Sequence, residues 1–194
     1  MGAVVTIQTT FNIDNPLIPL YTVGFATRQS VILEFSPTII SLILAGKIGS
    51  QIASEIGTMR VTEQIDALEI MGINPASFLI LPKIAAAMII NPIVIIISMF
   101  LSIFGGWLSG VVTGLCSSAD FIYGIQYAFH PYDVMYALIK TIVFAFLITS
   151  ISGFHGYYTE GGALEVGRSS TRAVVHSSIA IILANLILTQ LLLA

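Results

Sequence analysis

The chain has 194 residues, 56% of them hydrophobic and only 9% charged, with a formal net charge of −3. Soluble domains carry about 25% charged residues, so this chain cannot cover itself with polar surface in water and reads as an integral membrane protein. A small negative charge without any basic run excludes nucleic acid as a partner, and the single cysteine, Cys116, excludes an intrachain disulfide.

Met1–Phe11 is apolar enough for a bilayer but only about half the needed length. Asn12, Asp14, Asn15, Pro16 and Pro19 then break it. Residues 1–13 therefore read as the end of a truncated first span, whether the loss is real or reflects a late start codon. The next span, residues 31–57, carries Glu34, Lys47 and Glu55, while its core Phe35–Gly46 has no charge. Lys47 either snorkels toward an interface or pairs with Glu55.

Residues 62–72 interrupt the oil. Three of the chain's ten acids, Glu63, Asp66 and Glu69, fall in this one short stretch. Thr62 suits the N-cap of a helix and Glu63 its positive end, and Gly72 followed by Asn74-Pro75 ends it. Val61, Ile65, Leu68 and Gly72 share one stripe, and the acids lie mostly opposite. About ten residues are too few to span. Helices that rest on headgroups are usually rich in Lys and Arg, so an acidic one favours docking of a soluble partner with a basic groove.

Residues 84–104 hold no charge and match the roughly 30 Å hydrocarbon core at about 1.5 Å per residue. Asn91-Pro92 predicts a kink there. The connection Gly105–Asp133 contains Asp120 and Asp133 but no Lys or Arg. Residues 134–152 form the next span, interrupted by Lys140 near its start, and residues 173–194 the last, with His176 as its one titratable group. Arg60 and Lys83 flank the acidic helix, and Arg168 and Arg172 lie in Gly153–Arg172. The positive-inside rule places both segments in the cytoplasm and Gly105–Asp133 on the other side. The fold class is all-α, a single membrane domain over 1–194 with four full spans.

Gly49, Ala53 and Gly57 recur every four residues, as do Gly106, Gly110 and Gly114. Such ridges let helices approach closely in lipid, within the chain or at a subunit interface. Gly46-Lys47 is not a phosphate loop, because Ser41 replaces its first glycine and Ile48 its Ser/Thr. His130, His155 and His176 lack metal-ligand spacing, and no residue set suits catalysis. Glu34 is either a solvated interfacial acid or a cavity-lining one.

The run Ala45-Gly46-Lys47-Ile48-Gly49-Ser50, then Glu55 to Leu68, Met71-Gly72-Ile73-Asn74-Pro75 and Leu81-Pro82-Lys83 resembles the MlaE/YrbE permease family. So does the ending, with Ser170-Thr171-Arg172 and Val174-Val175-His176-Ser177-Ser178. The resemblance covers nearly the whole chain. It implies an ABC transporter permease of the bacterial inner membrane that moves phospholipid between membranes. It implies a homodimer, a separate ATPase binding ATP-Mg, an MCE-domain lipid-binding protein, and no cofactor or metal on this chain. The family's five spans follow an N-terminal interfacial helix. Its coupling helix falls on Glu63–Met71, so Glu63, Gln64, Ile65, Asp66, Leu68, Glu69 and Met71 become the ATPase-coupling candidates. Glu34 and Asn185 become lipid-cavity candidates; Leu33 stands where the family often has arginine, and Asn185 where some members have aspartate. An ion-coupled secondary transporter, which favours paired midplane charges, and a non-transporting scaffold are the alternatives.

Overall fold

A computed structural model of the chain describes residues 1–13 and 19–193; the expected breakers Asp14, Asn15 and Pro16, and the final Ala194, lie outside the described residues. The described elements are α1 (Gly2–Asn12), α2 (Tyr21–Val61), α3 (Gln64–Ile70), α4 (Ala76–Val112), α5 (Ser118–Gln126), α6 (Pro131–Tyr157) and α7 (Ala163–Leu193). Among the described residues the protein is all helix. Four helices, α2, α4, α6 and α7, are long and apolar enough to cross a membrane.

Every spanning helix outlasts the apolar segment that marks it. The 41 residues of α2 begin at Tyr21, ten residues before the expected start at 31. At about 1.5 Å per residue α2 is roughly twice as long as a hydrocarbon core is thick. Pro37 sits inside α2, where it lacks an N–H and its ring would crowd the carbonyl four residues back. The surrounding turns, Val31–Ile39, are wound as π-helix, and this wider winding re-registers the hydrogen bonds around the proline. Helix α4 likewise contains Pro92 without a break in the helix. Helix α7 begins at Ala163 rather than 173, so the expected loop Gly153–Arg172 shrinks to residues 158–162. The expected connection Gly105–Asp133 similarly contains the end of α4 and all of α5. Polarity marks where a helix leaves lipid; it does not mark where the helix stops.

The chain folds as two compact units. The first comprises Met1–Ile39 and Ile93–Ile139. In it α1 packs on the start of α2, with Thr6 and Thr27 buried and their hydroxyls 3.2 Å apart. Gly106 of α4 lies against this pair: a Cβ there would stand 2.7 Å from Thr6 Oγ1 and 3.2 Å from Thr27 Cγ2. At Gly110 a Cβ would meet Cys116 Sγ at 2.7 Å. Gly114 does not continue this ridge. Its φ of +68° ends α4 in a Schellman turn, with Leu115 N–H donating to Gly110 O at 3.2 Å and Gly114 N–H to Val111 O at 3.1 Å.

Helix α5 crosses α2 backbone to backbone where Gly24 faces Phe121 and Gly124 faces Tyr21 and Phe25. Arg28 then clamps the end of α5. Its Nη1 donates to the carbonyls of Ile125 (2.7 Å) and Tyr127 (3.0 Å), and its Nη2 to Ala128 (3.1 Å). The guanidinium also lies over the rings of Phe25 and Phe129, at 5.1 and 5.6 Å. A helix C-terminus leaves carbonyls without partners, and Arg28, 1% exposed, supplies the donors.

The second unit comprises Ile40–Pro92 and Lys140–Ala194. Its core joins Ala45 of α2, Phe144 and Ile148 of α6, and Ile181 of α7, all buried. Small residues again sit at the closest approaches. A Cβ on Gly49 would lie 2.9 Å from Ser152 Oγ, one on Gly57 3.2 Å from Thr159 Oγ1, and one on Gly156 2.8 Å from the carbonyl of buried Ala53. Gly49, Ala53, Gly57, Gly106 and Gly110 thus all face neighbours within their own chain. Ser170 of α7 adds a 3.0 Å hydrogen bond to the Ser50 carbonyl of α2. Lys140 is fully buried in α6.

Candidate functional site

The polar helix α3 hangs between α2 and α4 on two sharp turns. Glu63, not Thr62, occupies its N-cap position, with a left-handed backbone at φ 61° and no side-chain cap bond. Thr62 is instead the C-cap of α2, and its hydroxyl donates back to the Thr58 carbonyl at 2.8 Å. The expected cap at Thr62 is therefore corrected, and α3 runs over Gln64–Ile70 rather than 62–72. At the other end Gly72, φ 78°, closes a Schellman turn: Gly72 N–H donates to Glu69 O at 2.9 Å and Ile73 N–H to Leu68 O at 3.0 Å. Asn74 then opens α4. Its Oδ1 accepts from Ala76 N–H at 3.0 Å, with Pro75 at the first helical position, where a missing N–H costs nothing.

One residue seats α3. Ile65 is 0% exposed and packs with Ile52 and Ile56 of α2, ringed by Met59, Leu79, Ile80 and Tyr157. Of its expected stripe partners, Val61 and Leu68 are half-buried and Gly72 is exposed in the turn. The outer side carries Gln64, Ile70, 87% exposed, and Met71, 64% exposed.

The three acids have different tasks. Asp66 accepts from Arg60 Nη1 of α2 at 2.5 Å. Glu69 accepts from the hydroxyl of Tyr157, the last residue of α6, at 2.9 Å. The Arg60 guanidinium lies 5.7 Å from the centre of the Tyr157 ring. Glu63 is exposed, and its side chain makes no hydrogen bond or ion pair among the described residues. Of the three acids, Asp66 and Glu69 are thus bonded to side chains of their own chain, and Glu63 is not. The Arg60–Asp66 pair is one-third to one-half exposed, and such pairs contribute about 0–1 kcal/mol. Burial of an isoleucine contributes about 1.5–3 kcal/mol. Ile65 therefore holds α3 in place, and the polar contacts set its orientation.

Glu55 pairs with Lys83 at the start of α4, at 2.8 Å, not with Lys47. Lys47 and Glu55 are eight residues apart on one helix, about 12 Å along its axis, and Lys47 is exposed. Glu34, in the first unit, accepts from Thr38 Oγ1 at 3.4 Å. Asn185 is half-buried on α7 in the second unit. Two histidines without ligand spacing in sequence meet in space: His155 Nε2 and His176 Nδ1 are 2.7 Å apart. No cluster of three or more metal-ligating side chains occurs among the described residues. Tyr157 and Arg28 escaped the sequence reading. The position of Tyr157 at the polar end of a span, where aromatic residues concentrate, was the available signal for the first.

The family model described as Permease MlaE matches residues 1–191. The chain belongs to the MlaE permease family. Relatives within reach of this MlaE-type chain include a probable ABC transporter permease protein of Rickettsia prowazekii, 41% identical over 84% of this chain and 62% of its own length. A probable ABC transporter permease protein of Synechocystis is 36% identical over 88% of this chain and 65% of its own. The MlaE protein of Haemophilus influenzae, named as the permease of an intermembrane phospholipid transport system, is 32% identical over 87% of this chain and 65% of its own. The chain spans a little under two thirds of the length of these relatives.

Proposed function

We propose that this MlaE-type chain is the membrane subunit of an ABC transporter that moves phospholipid between membranes. ATP-Mg is bound and hydrolysed on a separate ATPase subunit that seats on α3. The observation that carries this reading is the construction of α3. A short helix, anchored by one buried isoleucine, presents Ile70 and Met71 outward beside the unpaired carboxylate of Glu63. Exposed apolar side chains next to a free acid suit a protein groove with an apolar floor and a basic rim. They suit anionic headgroups poorly. Lys and Arg flanking α3 support a cytoplasmic position in a bacterial inner membrane. In this reading the complex is a homodimer of the permease working with an MCE-domain protein, and Glu34 and Asn185 face the lipid path.

Purification of the tagged chain from its own host tests the proposal. An ATPase subunit should co-purify, and Ile70→Ser with Met71→Ser should release it. Retention of the ATPase by that double variant, or its absence from the wild-type preparation, refutes the docking role of α3.

A further inference from the structure

Four side chains from three helices form a closed circuit that ties α3 to α2 and α6. Arg60 of α2 donates to Asp66 of α3 at 2.5 Å. Glu69, one turn further along α3, accepts from Tyr157 of α6 at 2.9 Å. The Tyr157 ring in turn lies under the Arg60 guanidinium at 5.7 Å. Asp66 and Glu69 are three residues apart, so they share a face of α3. Tyr157 is also the member that α6 contributes to the apolar cluster around Ile65.

From this circuit we propose that Arg60 and Tyr157 are positioning residues that make α3, α2 and α6 move as one body when α3 is pushed. The inference rests on the docking role of α3 proposed above. Apolar burial is non-directional; Ile65 alone holds α3 against α2 and leaves it free to rock about that contact. Hydrogen bonds are directional and weaken steeply when bent. Two of them, pointing to different helices from one face of α3, remove the rocking. A force on Ile70 and Met71 then passes through Asp66 into α2 and through Glu69 into α6. Without the circuit, the same force tilts α3 and is lost.

The test uses the complex of the permease with its co-purifying ATPase, reconstituted in phospholipid vesicles. Three quantities are read: ATPase retention, ATP hydrolysis, and transfer of a fluorescent phosphatidylethanolamine. Tyr157→Phe deletes the hydroxyl and keeps the ring. It should retain the ATPase and its hydrolysis while lipid moved per ATP falls about threefold or more, a size typical of lost coupling. Arg60→Asp and Asp66→Arg should each uncouple, and the double exchange should restore the ratio. A role confined to folding would lower retention and hydrolysis together and leave the ratio unchanged. An unchanged ratio in Tyr157→Phe with the ATPase retained, or no restoration by the double exchange, overturns the inference and leaves docking intact. Failure of the wild-type chain to retain an ATPase overturns the docking role, and this inference with it.

Discussion

Ile65 and Ile70 sit five residues apart on the same short helix and should respond to substitution in opposite ways. Ile65 is 0% exposed and Ile70 is 87% exposed. Truncating a buried isoleucine to alanine costs about 2–5 kcal/mol, from lost transfer energy plus the cavity left behind. Ile65 lies near the middle of that range, because Ile52 and Ile56 enclose it on the α2 side while Met59 and Tyr157, only partly buried, can relax into the space. About 3 kcal/mol corresponds to a fall of about 6–12 °C in melting temperature for a chain of this size. Ile70→Ser changes an almost fully exposed side chain and should change stability by about 0.5 kcal/mol or less. The assay is thermal unfolding in detergent followed by size-exclusion chromatography, paired with capture of the ATPase by each variant. Ile65→Ala should melt early; Ile70→Ser should melt like wild type yet hold the ATPase weakly. Equal destabilisation by both variants would refute the assignment of inner and outer sides to α3. A stable Ile70→Ser that binds the ATPase as well as wild type would refute the docking face.

Four further outcomes follow from contacts elsewhere in the chain. Gly124→Ala drives a Cβ into the α2 backbone, 2.9 Å from Phe25 N and 3.1 Å from Gly24 Cα, and should cost about 1–3 kcal/mol of overpacking. Gly46→Ala, with nothing within 4 Å, should melt like wild type in the same experiment. Arg28→Met removes a charged donor from three carbonyls at the end of α5, a loss of about 1.5–3 kcal/mol, and should speed hydrogen exchange across residues 118–129 above all other segments. Cys116 is buried, and burial with help from Asp120 pushes its thiol above the usual range. Less thiolate is then present at a given pH, so maleimide labelling in the folded protein should be slow at pH 7 and rise only at a higher pH than for a free thiol.

Hydropathy located the apolar centre of every spanning helix because lipid demands about 20 apolar residues in a row. It missed the ends, because caps and turns set those. Gly114 and Gly72 end their helices through left-handed backbone, and Asn74 starts one by accepting from N–H groups. Tyr21–Ser30 and residues 163–172 are polar yet helical, so a reading keyed to polarity assigns them to loops. Within the site, Ile65 was legible from its 3.6-residue stripe. The partners of Asp66 and Glu69 were not. Arg60 lies across a turn whose direction depends on the left-handed backbone of Glu63, and Tyr157 is 88 residues beyond Glu69 in the chain. The four-residue period of small residues also took in Gly114, which serves a turn.

A polar decapeptide between two spans can be polar for two reasons, and composition treats them alike. Its charges can face a partner, or they can tie the segment to its own scaffold. In α3 the tied acids lie between open residues at its two ends. Glu63 and the apolar pair Ile70 and Met71 are left open, whereas Asp66 and Glu69 are taken up by Arg60 and Tyr157. Under the proposed coupling the division has a mechanical reason. A helix of two turns held only by a partner would fold onto that partner and absorb its motion. A helix already fastened to two long helices hands the motion on. The acids that made the segment conspicuous in sequence are thus mostly fastenings, and the side left open carries Ile70 and Met71.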